Sequence, residues 1–133
     1  MNPSPAASQK YLLDVNVLLA AIWTSHPQHA KAFAWLSART ILLCPLSELG
    51  FLRISTSPKV INAPMEKARK LLEQFAADRR AERIGDDLPA LGSRASKSAE
   101  VTDSYLADLA FKHGAKLATL DGSMGHPSVE VIT

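Results

Sequence analysis

A single cysteine in 133 residues excludes an internal disulfide and leaves no partner for a thiolate metal site. Cys44 stands in the apolar run ILLC and reads as a small buried hydrophobe, not a nucleophile. Long apolar runs are missing too: none approaches the ~20 residues that a membrane-spanning helix needs. The opening MNPSPAASQK has no apolar segment of the secretory-signal type, and residues 1–9 read as a loose arm rich in Pro, Ser and Ala. There is no internal repeat and no linker, so one soluble, cytoplasmic domain is expected. A convergent histidine set is also lacking. His26 and His29 have H-x-x-H spacing, but Pro27 interrupts any helix there and no third ligand stands nearby; His113 and His126 likewise read as surface or loop residues.

What is present is a domain-sized chain, 47% apolar, in which short apolar runs alternate with helical periodicity. A domain near this size buries roughly two-thirds of its unfolded surface. Strands are predicted at 11–13, 40–44, 116–120 and 129–132, with a minor one at 83–84. Between them, Val17, Leu18 and Ala21 recur at helical spacing, and 29–38 turns Ala32, Phe33 and Leu36 inward. A helix over 47–53 follows Pro45, with Leu49 and Leu52 available for packing. Pro64 opens PMEKARKLLEQFAADRR, whose apolar stripe is Met65, Ala68, Leu72 and Phe75. Thr102 or Asp103 caps the last helix, where Leu106, Leu109, Ala110 and His113 keep the spacing until Gly114 ends it. Residues 81–99 are poorly patterned, and GSRASKS within them reads as a mobile basic loop. Trp23, Phe33 and Trp35 read as core or dimer contacts more than as stacking platforms for bases. The alternation indicates an α/β fold with a parallel sheet, because parallel strands need crossover connections.

That geometry gives four acids a common address. Asp14 in YLLDVNVLLA and Asp121 in LATLDGSM follow strands, while Glu48 in CPLSELGFL and Asp103 in VTDSYLADLA lie in first turns of helices. All four belong to the carboxyl edge of the sheet, where open α/β sheets bind ligands. Crowded carboxylates raise one another's pKa, and a divalent cation removes the conflict. Hard oxygen donors without His or Cys favour Mg2+ or Mn2+ over zinc. Such a site suits phosphodiester hydrolysis by metal-activated water, with no side-chain nucleophile. The formal charge is +2, yet with four acids in one cleft the remainder carries +6, 15 basic against 9 acidic residues, a surface that attracts a polyanion.

At LLDVNVLLA, CPLSELGFLR and VTDSYLADLAFKHGAKLATLD the chain resembles the PIN-domain nucleases, in particular the VapC-type ribonuclease toxins of toxin–antitoxin pairs. The resemblance implies a three-layer α/β/α domain with a central, short-stranded parallel sheet. It implies a Mg2+- or Mn2+-dependent endoribonuclease with Asp14, Glu48, Asp103 and Asp121 as catalytic and metal-holding acids. Homodimerisation is implied as well, as is a cognate antitoxin that inserts a segment toward the cleft and carries any contact with DNA. Asn16 matches a position that supports the first acid, and Thr102 and Thr119 are weaker supporters. The chain departs from some members in having no further acid in LDGSMGHP, which leaves a second metal position open. Asp108, about 140° around the helix from Asp103, faces elsewhere. Two other readings stand beside this one. A catalytically degenerate RNA- or partner-binding module would keep the fold without hydrolysis. An aspartyl-nucleophile phosphohydrolase would need the second Asp of a DxD pattern, which DVN lacks.

Overall fold

The structure, a computed structural model, describes residues 9–92 and 100–133. The expectations for the N-terminal arm and for the basic loop beyond Gly92 fall on residues outside that set. The sheet consists of β1 (Lys10–Leu13), β2 (Thr40–Leu43), β3 (Glu82–Arg83), β4 (Lys116–Thr119) and β5 (Val129–Val131). All its pairings are parallel, in the spatial order β3-β2-β1-β4-β5. Parallel neighbours cannot be joined by tight hairpins, and the connections contain α1 (Val15–Ile22), α2 (His29–Leu36), α3 (Pro45–Thr56), α4 (Met65–Asp78) and α5 (Val101–Lys112). Among the described residues, no helix is long and apolar enough to cross a membrane.

Side chains alternate between the faces of a strand, so each apolar run feeds two cores. Leu12, Leu42 and Leu117 point to one face and pack with Tyr105, Leu106, Leu109 and Ala110 of α5. Leu13, Ile41, Leu43 and Ala118 point to the other and pack with Val17, Leu18, Leu36, Phe51 and Leu72 of the first four helices. Three layers result, as the family resemblance implied. Cys44 is fully buried and belongs to the α5-side core.

Three apolar positions do not face inward as expected. Leu49 is 63% exposed because α3 docks through Ser47, Gly50, Phe51 and Ser55, a stripe that leaves position 49 outside. Met65 is 40% exposed, since the first turn of α4 projects past the core while Ala68, Leu72, Phe75 and Ala76 are buried. Phe33 is also exposed, covered on one side by the Arg79 guanidinium 4.5 Å from its ring centre, while Ala32 and Leu36 form the inner face of α2. Trp23 and Trp35 are partly buried against the core: the Trp23 indole N–H donates to Ser55 Oγ at 2.8 Å, and Trp35 meets Tyr11 edge-on at 4.9 Å. Helix α5 begins at Val101 with Glu100 at the N-cap position, so Thr102 and Asp103 lie within its first turn and do not cap it. Gly114 takes φ +68° beyond its end, the left-handed conformation in which glycine has no Cβ penalty.

Gly50 marks the closest approach of α3 to α1. A Cβ built there would lie 2.5 Å from Val15 Cγ2 and 3.4 Å from Val15 Cβ, a stiff β-branched side chain that cannot swing clear. Overpacking of this kind costs about 1–3 kcal/mol, against a gain in helix propensity of up to ~1 kcal/mol. Gly50→Ala is therefore expected to lose about 1–2 kcal/mol in urea unfolding, and Gly50→Ala combined with Val15→Ala should recover much of it. Full stability in the single variant would show that the helices are not in contact at this point.

Candidate active site

The strand order reverses between β1 and β4, since the chain builds outward from β1 to β2 and β3 and then returns to the other side of β1. At such a switch point the connections leave to opposite faces and open a crevice beyond the strand ends. The pairing of Leu13 with Ala118 places the next residues, Asp14 and Thr119, side by side at the head of that crevice. The Asp14 N–H donates to the Ala118 carbonyl at 3.4 Å, extending the ladder by one rung.

Asp14 is only 2% exposed. Its Oδ1 accepts from Val17 N at 2.7 Å, so the carboxylate caps α1 and uses one of that helix's unpaired N–H groups. Burial nevertheless dominates and raises its pKa to about 6; the Val17 N–H and the Thr119 hydroxyl pull it down, and the charges of Asp103 and Asp121 push it up. Asp103, half-buried in the first turn of α5, is raised by its own burial and then by Asp121. Asp121 moves the other way. The Ser123 hydroxyl and N–H donate to its Oδ1 at 2.7 and 2.9 Å and hold it ionised below the usual range. Thr119 links the acids: fully buried, its Oγ1 also accepts from Asp121 N at 3.1 Å. The structure thus brings Asp14, Asp103 and Asp121 within reach of one another's charge.

Glu48 stands apart from these three. Arg83, the last residue of β3, donates to Glu48 Oε2 from Nε at 3.2 Å and from Nη2 at 3.0 Å. The side chains are 18% exposed for Glu48 and 56% for Arg83, so the pair sits at the surface with its carboxylate tucked in. Ser47 fixes the helix turn that bears Glu48. Its buried hydroxyl donates to the Leu13 carbonyl at 2.8 Å, tying the start of α3 to the residue just before Asp14. Ser47, Arg83 and Ser123 were not singled out from the sequence; a polar residue within two positions of a predicted acid was the available signal for Ser47 and Ser123, and for Arg83 there was none.

The remaining candidates occupy the periphery. Asn16 and Thr102 are exposed, each next to the helix residues that present the acids. Asp108 is turned toward the β4–β5 connection, where His126 Nε2 lies 2.8 Å from its Oδ1. His29 Nδ1 lies 2.8 Å from the Ala20 carbonyl, and His26 Nδ1 accepts from Gln28 N, so both serve local structure.

Among the described residues, no three His, Cys, Asp or Glu side chains already form a metal cage. A hydrated Mg2+ does not require one, because it keeps several waters and takes one or two carboxylates. Asp14, Asp103 and Asp121 offer only hard oxygens, and the burial and like charge that raise Asp14 and Asp103 are the costs a divalent cation relieves. The donor chemistry of these acids therefore suits such an ion, while Glu48 is held in its pair with Arg83.

Comparison with known proteins places this geometry in a family. The PIN domain profile matches residues 11–128. Ribonuclease VapC38 of Mycobacterium tuberculosis is 38% identical over 127 residues, covering 85% of this chain and 86% of that protein. Ribonuclease VapC39 of the same organism is 33% identical over 124 residues, covering 85% and 89%. Among solved structures, VapBC2 from Rickettsia felis bound to a promoter DNA fragment superposes with a TM-score of 0.61 at 18% identity, over 92% of this chain and 97% of that one. FitAcB from Neisseria gonorrhoeae gives 0.58 at 22% identity, over 92% and 96%.

Asp14 also sets a pH dependence. Its folded-state value of about 6 lies above the ordinary 3.8, so its protonation stabilises the fold at low pH and that stabilisation is lost as pH rises through 6. Two pH units correspond to about 3 kcal/mol. Metal-free protein in EDTA is expected to lose stability mainly between about pH 4 and 6.5, with the raised Asp103 adding to the same slope, and Asp14→Asn, which can still cap α1, should flatten much of it. The lowered groups Asp87 and Asp121 act only below their ordinary range, outside this window. Parallel slopes for the two proteins in urea unfolding would show that Asp14 is not buried as described.

Proposed function

This chain belongs to the PIN-domain family, and from that premise we propose that it is a metal-dependent endoribonuclease acting as the toxin of a toxin–antitoxin pair. The observation that carries the reading is the buried carboxylate of Asp14 at the switch point, within charge range of Asp103 and Asp121. The ribonuclease names of relatives matched over most of their length support the substrate.

In this reading Asp14, Asp103 and Asp121 would hold Mg2+, or Mn2+ in its place, while Glu48 is engaged in its ion pair with Arg83. When bound, such an ion would supply activation of water and offset charge on the phosphoryl oxygens. The protein's own contribution is orientation. The Val17 N–H and Thr119 fix Asp14, Ser123 fixes an ionised Asp121, and the Ser47 bond to the Leu13 carbonyl fixes the turn that carries Glu48. Arg83, 56% exposed beside Glu48, keeps a cation at this edge of the rim. Asn16 and Thr102, exposed at the rim, lie where they can meet waters or RNA.

The fold neighbour VapBC2 from Rickettsia felis supports a partner, and a cognate antitoxin is proposed for this chain. The proposed setting is a cytoplasmic homodimer. Exposed Phe33, Leu49, Val60 and Phe111 offer apolar surface for protein contacts. The competing reading is a degenerate binding module, favoured by the Arg83 bond that withholds Glu48.

Cleavage of RNA by purified protein separates the two. Wild type should cut with Mg2+ or Mn2+ and stop in EDTA, and Asp14→Asn, Asp103→Asn and Asp121→Asn should each lose on the order of a hundredfold or more. Thr119→Val should cost roughly 10- to 100-fold in metal affinity or activity. No cleavage by wild type at any divalent metal, or equal cleavage by Asp103→Asn, would sink the nuclease reading in favour of the binding module.

A further inference from the structure

Between the start of α3 and the first turns of α5 lies a hollow of about 320 Å³. Leu46, Leu88, Val101 and Tyr105 form its walls, with Asp86 and Thr102 as its polar groups. Its size is at the small end of ligand pockets, ~300–1,000 Å³, room for one planar heterocycle and not for a helix. Tyr105 is braced, its hydroxyl donating to the Leu88 carbonyl at 2.9 Å, so the wall is fixed before anything enters.

Its position connects it to the cleavage site. Thr102 is the chain neighbour of Asp103, and Leu46 precedes Glu48 by two residues on the first turn of α3. Its walls are thus carried by the same two helix starts that carry Asp103 and Glu48. Single-stranded RNA is read by splaying bases into such sites and bonding their Watson–Crick edges.

The polar groups narrow the choice of base. Asp86 is exposed: its Oδ1 receives Leu46 N at 3.5 Å and its carboxyl also meets the Cys44 thiol, and the remaining lone pairs of its two oxygens can accept from a ligand. A carboxylate accepts and never donates when ionised, so it selects an edge of N–H donors. Guanine presents two adjacent ones, N1–H and the N2 amino group, to match two oxygens. Uracil presents one, flanked by carbonyls that the carboxylate repels. The Thr102 hydroxyl can donate to guanine O6.

We propose that this hollow is a base-specificity pocket that receives a guanine adjoining the scissile phosphate. The proposal deepens the ribonuclease reading and rests on it for its biological use, but binding can be tested without cleavage. Isotope-labelled full-length protein in EDTA is titrated with guanosine, adenosine, cytidine and uridine, probes without a phosphate for the acids to repel. Guanosine should shift the amides of Leu88, Val101 and Tyr105 and bind at least about fivefold tighter than uridine. Asp86→Asn should erase that preference; if this variant fails to fold, Thr102→Val should lower guanosine affinity in the same titration. Shifts elsewhere, no shifts, or equal response to all four nucleosides would overturn the pocket and leave the hollow to a side chain of a protein partner. Guanosine shifts at these amides in a protein that cleaves no RNA would sustain the pocket while counting against the ribonuclease reading alone.

Discussion

Burying a carboxylate at the end of a central strand constrains everything around it. Asp14 is withdrawn from water at a cost that its raised pKa records, and a single N–H from α1 with one hydroxyl from β4 offsets part of that cost. Those two donors are available only if α1 starts immediately after β1 and if β1 and β4 keep the register that sets Leu13 against Ala118. Shifting that register by one residue would turn Leu12 and Leu117 to the opposite face and remove Thr119 from Asp14. Fold and site are thus not separable here: the same pairing fills both cores and aims the acid.

The charges at the rim are sorted by environment, not by residue type. Asp14 and Asp121 are both aspartates following strands, yet burial lifts one while the Ser123 donors lower the other. A site containing one carboxylate that holds its proton into the mildly acidic range and one that readily gives it up begins with less mutual repulsion than its formula suggests. Arg83 adds to the same effect by pairing the fourth acid from the edge of the sheet.

Much of the layout was legible in the sequence because parallel strands covered on both faces read as short continuous apolar runs, as in YLL, TILL and the segment before Asp121. Placing the acids on one edge needed only the rule that such strands all end on the same side. What failed were questions of facing. Helical spacing identifies Met65 and Leu49 as apolar positions but does not say where a helix overhangs its core or which of two stripes docks. Glu48 illustrates the deeper limit: its placement on α3 was readable, but its engagement by Arg83 depends on a two-residue strand in the poorly patterned stretch and on a contact 35 residues away. Ser47 is hidden for the same reason, since a hydroxyl that reaches a carbonyl 34 residues back leaves no local periodicity.

The strands taper outward. β3 contributes two residues and β5 three, flanking a centre of four-residue strands. Edges this short present too few free backbone groups to template another chain, which protects a sheet from edge-to-edge aggregation. They also leave little purchase for recognition by strand addition. Contact with the proposed antitoxin would therefore fall on helix surfaces and the carboxyl rim, where the acids are held.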